Sequence, residues 1–318
     1  MDSSKTAMPA SKEELRREIL RLKKEKNALI MAHYYQIDEI QEIADYIGDS
    51  LALAREAAKT DAPMIVMCGV HFMGETAKIL CPDKKVLIPD EKAGCSLADS
   101  CDPAEFEKFT REHPDHTVIS YVNTSAAVKA VTDIVVTSGN ARKIVDSLPK
   151  DEKIIFGPDK NLGGYINSVT GRDMLLWNGA CHVHDRFSLE KITKLKEANP
   201  GAKILVHPEC RRPLQLIADK VGSTAALLDY ARNSEAKDFI VVTESGILFE
   251  MRRKCPEKNF IAAPAEDSEC QCNHCEYMKM NTLEKLYRCL RDEKPEITVD
   301  PEIAARAIKP IERMLELS

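Results

Sequence analysis

The sequence predicts an α/β fold of three similar doubly wound parallel-sheet domains, an internal triplication around one central site. Three observations predict it. Short β-rich runs alternate with amphipathic helical ones along the chain, and near-continuous apolar strands in such an alternation indicate parallel sheets covered on both faces. The alternation recurs three times with a period of about ninety residues, too long for a solenoid unit and suited to small domains of one kind. Each copy also closes on a cysteine at a matching place: Cys95, Cys181 and Cys275.

A charged helix comes first, over 11–27, with Leu15, Ile19 and Leu22 at helical spacing on one side. Copy one follows as ALIMAHYY (28–35), IADYIGDS (43–50), PMIVMCG (63–69) and KVLIPD (85–90). A connecting helix over 102–114 leads to copy two: TVISYVN (117–123), VTDIVVTSG (131–139), KIIFGPD (153–159) and DMLLW (173–177). A second connector, 188–200, leads to copy three: AKILVHPE (202–209), IADKVGST (217–224), DFIVVTES (238–245) and NFIAAP (259–264). The helix over 281–295 closes the third copy, and a terminal helix over 300–317 is expected to kink or restart at Pro310. The expected domains are therefore 1–100 (N-terminal helix plus copy one), 101–187 (copy two) and 188–318 (copy three plus the C-terminal helix).

Composition narrows the function classes. The 318 residues carry a formal charge of −6 with no basic tail or stripe, which argues against a nucleic-acid partner. No apolar run reaches the roughly 18 residues of a spanning helix, and the first residues lack a signal peptide's apolar stretch. A cytoplasmic protein with no membrane partner is the expectation. Its eleven cysteines are then thiols, metal ligands or small buried side chains rather than disulfides.

Candidate chemistry gathers at the carboxyl ends of the predicted strands, where open parallel sheets bind ligands. Each copy's first strand ends in a polar pair two residues apart: His33 and Tyr35, Tyr121 and Asn123, His207 and Glu209. That spacing puts both members on one side of an extended segment. Ser50 and Ser138 each follow their pair's first member by seventeen residues, and Ser223 follows His207 by sixteen. A Gly/Ser/Thr turn opening a helix offers free N–H groups and hydroxyls to a carboxylate or phosphate. Taken singly, a strand-end histidine, a serine cap or a buried cysteine is ordinarily structural. Recurrence in register favours function, because caps alone do not require His, Tyr or Glu at the preceding strand ends.

Three thiols offered to one centre imply a shared metal site. With no obvious fourth protein ligand, they suit a cubane iron–sulfur cluster with one iron open to substrate, for dehydration rather than electron transfer. Zinc on three cysteines and a water is the alternative. Cys81 and Cys255 match only each other, on the opposite edge, and read as structural; Cys68, Cys101, Cys210 and Cys289 have no threefold equivalents. Cys270 and Cys272 precede Cys275 in C-x-C-x-x-C; with His274 the motif could bind zinc, but the two read as redox-active or incidental neighbours of the ligand. A hydro-lyase for a single hydroxy acid and a non-catalytic iron–sulfur sensor are the other classes open at this point.

The chain closely resembles the quinolinate synthases of the A type from about residue 15 to 310. AHYYQ (32–36), GDSLALA (48–54), AGCSLAD (93–99), YVNTSA (121–126), TSGNA (137–141), FGPDKNLGGYI (156–166), WNGACHVH (177–184), HPEC (207–210), TESGI (243–247) and CEYMKMNTLEKL (275–286) carry the resemblance. It implies three α/β domains around one [4Fe–4S] cluster held by Cys95, Cys181 and Cys275. It also implies condensation of iminoaspartate with dihydroxyacetone phosphate to quinolinate, with release of phosphate and two waters, on the route to NAD. An aspartate oxidase that supplies iminoaspartate is the implied protein partner. The implied substrate contacts are His33, Ser50, Tyr121, Asn123, Ser138, His207, Glu209 and Thr224, with Tyr35, His207 and Glu209 as acid–base groups. Some relatives have C-x-x-C-x-x-C before the last ligand. The spacing C-x-C-x-x-C here puts a disulfide between the upstream cysteines in doubt.

Overall fold

A computed structural model describes residues 9, 11–266 and 273–318. Its described strands form three four-stranded sheets in which all neighbours are parallel. The first lobe holds β1 (Ala28–His33), β2 (Tyr46–Gly48), β3 (Met64–Cys68) and β4 (Lys85–Leu87). The second holds β5 (Thr117–Tyr121), β6 (Ile134–Val136), β7 (Ile154–Gly157) and β8 (Leu175–Leu176). The third holds β9 (Lys203–Val206), β10 (Lys220–Val221), β11 (Asp238–Val242) and β12 (Asn259–Ala262). Each sheet has the order second, first, third, fourth, so the winding reverses between its first and third strands. A crevice opens at the carboxyl ends of such a pair.

Apolar sequence explains the central strands: every residue of β3 is buried, as are the last four of β11. One aspartate per copy fixes where the second strand begins. Asp45, Asp133 and Asp219 accept the backbone N–H of Ile30, Val118 and Ile204, each at 2.8 Å. The largest apolar cluster runs through all three lobes, joining Met31, Val122 and Leu205. The lobes thus share one core, and each also buries a smaller cluster of its own.

The N-terminal helix is Lys12–Glu25, capped by Ser11, and buries Leu15, Ile19 and Leu22 as its spacing predicts. The connectors form at Pro103–Arg111 and Leu189–Ala198. Two later helices depart from chain order. Leu283–Asp292, the closing helix of copy three in sequence, packs on Lys12–Glu25 of the first lobe, where Leu283, Leu286, Tyr287 and Leu290 join its apolar stripe. Pro301–Leu317 is continuous through Pro310, so the helix does not restart there. It packs on β6, Ala126–Lys129 and His71–Leu80 and buries Ala307, Pro310, Ile311 and Met314. That packing outweighs a local penalty of about 3 kcal/mol for an interior proline. No helix among the described residues is long and apolar enough to cross a membrane.

Cys81 and Cys255 are buried at the C-caps of His71–Leu80 and Ile247–Lys254, where the chain enters the fourth strands. That edge lies away from the crevice, in keeping with a structural role. Cys68, Cys101, Cys210 and Cys289 are buried, while Cys270 and Cys272 lie outside the described residues.

Candidate active site and metal centre

One cavity of about 710 Å³, mouth included, lies where the carboxyl ends of the three sheets meet. His33, Tyr35 and Ser50 line it from the first lobe, Tyr121, Asn123 and Ser138 from the second, and His207, Glu209 and Thr224 from the third. Cys95, Cys181 and Cys275 complete the wall. The structure therefore brings together every residue singled out above except Ser223. That serine caps the helix Thr224–Asn233 by accepting the N–H of Ala226, and its neighbour Thr224 faces the cavity instead.

The strand-end pairs are held by a second device in register. Eight residues after His33, Tyr121 and His207 stand Gln41, Lys129 and Gln215. Gln41 donates to the carbonyls of Tyr34 (3.1 Å) and Gln36 (2.9 Å), and Gln215 to those of Pro208 (2.9 Å) and Cys210 (2.7 Å). Lys129 makes the same two bonds in the second lobe, to Val122 at 2.9 Å and to Thr124. Each clamps the turn that carries its pair. Sequence reasoning missed all three, because a polar residue in an amphipathic run reads as solvent-facing.

Inside the cavity the polar groups form one network. Tyr121 donates to Glu209 Oε1, and His184 Nδ1 lies 2.8 Å from Glu209 Oε2. His184 Nε2 reaches Thr243 Oγ1 at 2.8 Å; Thr243 is 2.7 Å from the Tyr35 hydroxyl, which is 2.8 Å from Thr224 Oγ1. The His184 and His207 rings stack at 4.5 Å. Burial pushes His207 down to about 3 and His33 to about 4, so both are neutral imidazoles. Burial opposes ionisation of Glu209 too, but the nearby His184 and His207, with bonds from His184 and Tyr121, hold its carboxyl well below the usual range. Burial raises Tyr35 and Tyr121 well above ordinary phenols. At neutral pH the network therefore holds the Glu209 carboxylate and two protonated phenols. Asn123 adds a buried Oδ1 without a partner among the described residues, an acceptor that a bound donor would satisfy.

The cysteines are placed alike. Each is the N-cap of a four-residue helix, Ser96–Asp99, His182–Asp185 or Glu276–Lys279. Burial pushes the Cys95 thiol up to about 12 and that of Cys275 to about 11, and it raises that of Cys181 well above the ordinary thiol value. Backbone N–H groups of the following turn oppose this at each sulfur: Ala98 and Leu97, Met278 and Tyr277, and His184. Thiols so buried give up their protons only to a cation, and N–H groups aimed at sulfur suit thiolate ligation.

Comparison with known proteins agrees with this geometry. The profile of the family described as quinolinate synthetase A protein matches residues 17–316. The quinolinate synthase of Chloroherpeton thalassium is 55% identical over 314 residues, 99% of this chain and 98% of that protein. That of Microcystis aeruginosa is 57% identical over 300 residues, 94% of each chain. The chain belongs to the quinolinate synthase family.

In this quinolinate synthase-family fold, three further buried residues contact the cysteines. His184 joins Cys181, at 3.3 Å, to Glu209 and Thr243. Asp159 accepts the N–H of Cys181 at 3.1 Å, and Glu244 that of Cys275, also at 3.1 Å. None recurs in all three copies, so register does not reveal them; their only signals are the strings WNGACHVH, GPDK and TESG. Among the described residues, the one group compact enough for a single ion is Cys181, His184 and Glu209, with ligand atoms within 4.8 Å of one another. The three cysteines do not form such a group.

Proposed function

We propose that the cavity is the active site of a quinolinate synthase that condenses iminoaspartate with dihydroxyacetone phosphate, releasing phosphate and two waters, in NAD biosynthesis. The observation that carries the proposal is the convergence of one thiol per lobe on a cavity that also holds the Glu209–His184–Tyr35 network. Sulfurs from three lobes, spaced too widely for one ion, favour a [4Fe–4S] cluster on Cys95, Cys181 and Cys275 over a three-cysteine zinc. Such a cluster supplies a Lewis-acidic iron without a protein ligand, able to polarise a hydroxyl or carbonyl oxygen.

The chain's own groups do the rest. Both substrates are anions and the protein is net negative, so attraction is local. Ser50 and Thr224 open the helices Ser50–Lys59 and Thr224–Asn233 into the cavity and offer hydroxyls and N–H groups to carboxylate or phosphate. Ser138, Tyr121 and Asn123 face them from the second lobe, and His33 and His207 present neutral rings. Glu209, ionised and hydrogen-bonded to Tyr121, is the base that takes the proton next to the carbonyl or imine. His207, beside it, is a neutral ring whose Nδ1 accepts the Glu209 N–H at 3.4 Å, which leaves an Nε2–H to donate to the intermediate. Tyr35, protonated and relayed through Thr243 to His184, donates during dehydration. Enclosure by three lobes excludes water from a readily hydrolysed imine. An aspartate oxidase is the proposed source of that imine, and the cytoplasm the proposed location.

Anaerobic purification and assay test this reading. The expected result is a brown protein with about four irons per chain that forms quinolinate from the two substrates. A second reading, zinc at Cys181, His184 and Glu209, predicts a colourless zinc protein. That outcome, or product formed without triose phosphate, would overturn the first reading.

A further inference from the structure

A second polar chain crosses all three lobes at the rim of the same cavity. Its members are the residues that directly follow the three cysteines: Ser96, His182 and Glu276. Ser96 Oγ is hydrogen-bonded to His182 Nδ1, and His182 Nε2 lies 3.1 Å from Glu276 Oε2. Each is the first residue of the short helix that its cysteine caps. Tyr277 adds an apolar strap, edge-on to the His182 ring at 6.0 Å and passing over Gly94, where a Cβ would meet Tyr277 Cε1 at 3.6 Å. Ser96 and His182 are half-buried, whereas Glu276 is exposed. The proton network runs deeper, through Glu209, His184 and Tyr35, and uses none of these groups.

We propose that Ser96–His182–Glu276 is a latch that holds the three cysteine loops in mutual register, with His182 the positioning residue common to both bonds. The physical need is plain. The three sulfurs ride on three separate sheets, so small movements of the lobes separate them. Hydrogen bonds one residue from each sulfur couple the loops with the shortest lever arm. A histidine suits the middle place because its two ring nitrogens point in different directions, one to the first lobe and one to the third. Partners that orient metal ligands typically change metal affinity by about 10–100-fold when removed. The consequence for the metal centre rests on the cluster reading above; the coupling of the loops does not.

Two measurements test the latch. In the metal-free full chain, alkylation of Cys95, Cys181 and Cys275 by iodoacetamide is followed peptide by peptide, with buried Cys68 as reference. His182→Ala is expected to raise all three rates together by about tenfold, leaving Cys68 and the melting temperature unchanged. In the reconstituted holoprotein, iron loss to a chelator is expected to accelerate by a similar factor, with His182→Asn, which keeps a partner for Ser96 alone, in between. Unchanged rates, or a rise confined to Cys181, would overturn the proposal. Should His182→Ala fail to fold, Ser96→Ala and Glu276→Gln answer the same question at half-buried and exposed positions. If the wild type takes up no iron, the cluster reading fails while the alkylation rates still decide the latch.

Discussion

The first lobe and the other two share a strand plan yet differ at the second residue beyond the third strand. After β3 that place holds Val70; after β7 it holds Asp159, and after β11 Glu244. Asp159 accepts the N–H of Leu162 at 2.7 Å as well as that of Cys181. Glu244 accepts from Gly246 at 2.7 Å and Cys275, and pairs with Lys279 at 3.0 Å. The first lobe uses the main chain instead: His71 N–H binds Ala93 O at 2.7 Å, two residues before Cys95. Val70 is left as cavity wall beside Phe72. The difference teaches that a repeated scaffold keeps its cysteine position while changing what supports it. Two lobes anchor the cysteine loop with a buried carboxyl group, and one gives that place to apolar surface.

The largest expected effect tests whether the lobes are equivalent as ligand donors. Cys95→Ser should lose the metal and turnover together, measured as iron content and anaerobic quinolinate formation. A full cluster in that variant would break the threefold ligand set. Next, Glu209→Gln should lower kcat by about 10²–10⁴-fold at unchanged iron content, separating the proton network from the metal loops.

The supports themselves come third. Glu244→Ala leaves Lys279 and two N–H groups without their carboxylate and should cost about 3–5 kcal/mol in denaturant melts of the metal-free protein. Asp159→Ala should cost about 1–3 kcal/mol, and Val70→Ala about 1 kcal/mol. Equal losses at all three would erase the contrast between lobes.

The smallest effect concerns the clamps. Burial pushes Lys129 down to about 8 against the pull of Glu75, whereas its counterparts Gln41 and Gln215 are neutral. Between about pH 8 and the ordinary lysine value of 10.5 the unfolded chain binds the proton that the folded one has released. Wild-type stability should therefore rise with pH relative to Lys129→Gln in that window, by up to about tenfold in the folding equilibrium per pH unit. Parallel pH profiles for the two proteins would show that Lys129 keeps its charge.

Much of this was legible because the chain repeats. Strand-end pairs, serine turns and cysteines stood out by recurring at matched spacings, and the structure gathers them in one cavity. His184 did not stand out, since the residues at its place after the other cysteines are Ala98 and Met278. Asp159 and Glu244 stayed hidden for the same reason, with Val70 breaking the pattern. The clamps recur, but amphipathic runs disguised them.

By itself the sequence determined the three α/β lobes, the strand edge that lines the cavity and the cysteine that each lobe places there. Those follow from local periodicity and from register between copies, both properties of a linear string. Only the tertiary structure decided which lobe the helix Leu283–Asp292 covers, that Pro310 sits inside an unbroken helix, and that His184 links Cys181 to Glu209 and Thr243. An apolar stripe records that a face must be buried without recording against what. A hydrogen bond between residues far apart in the chain leaves no spacing to read.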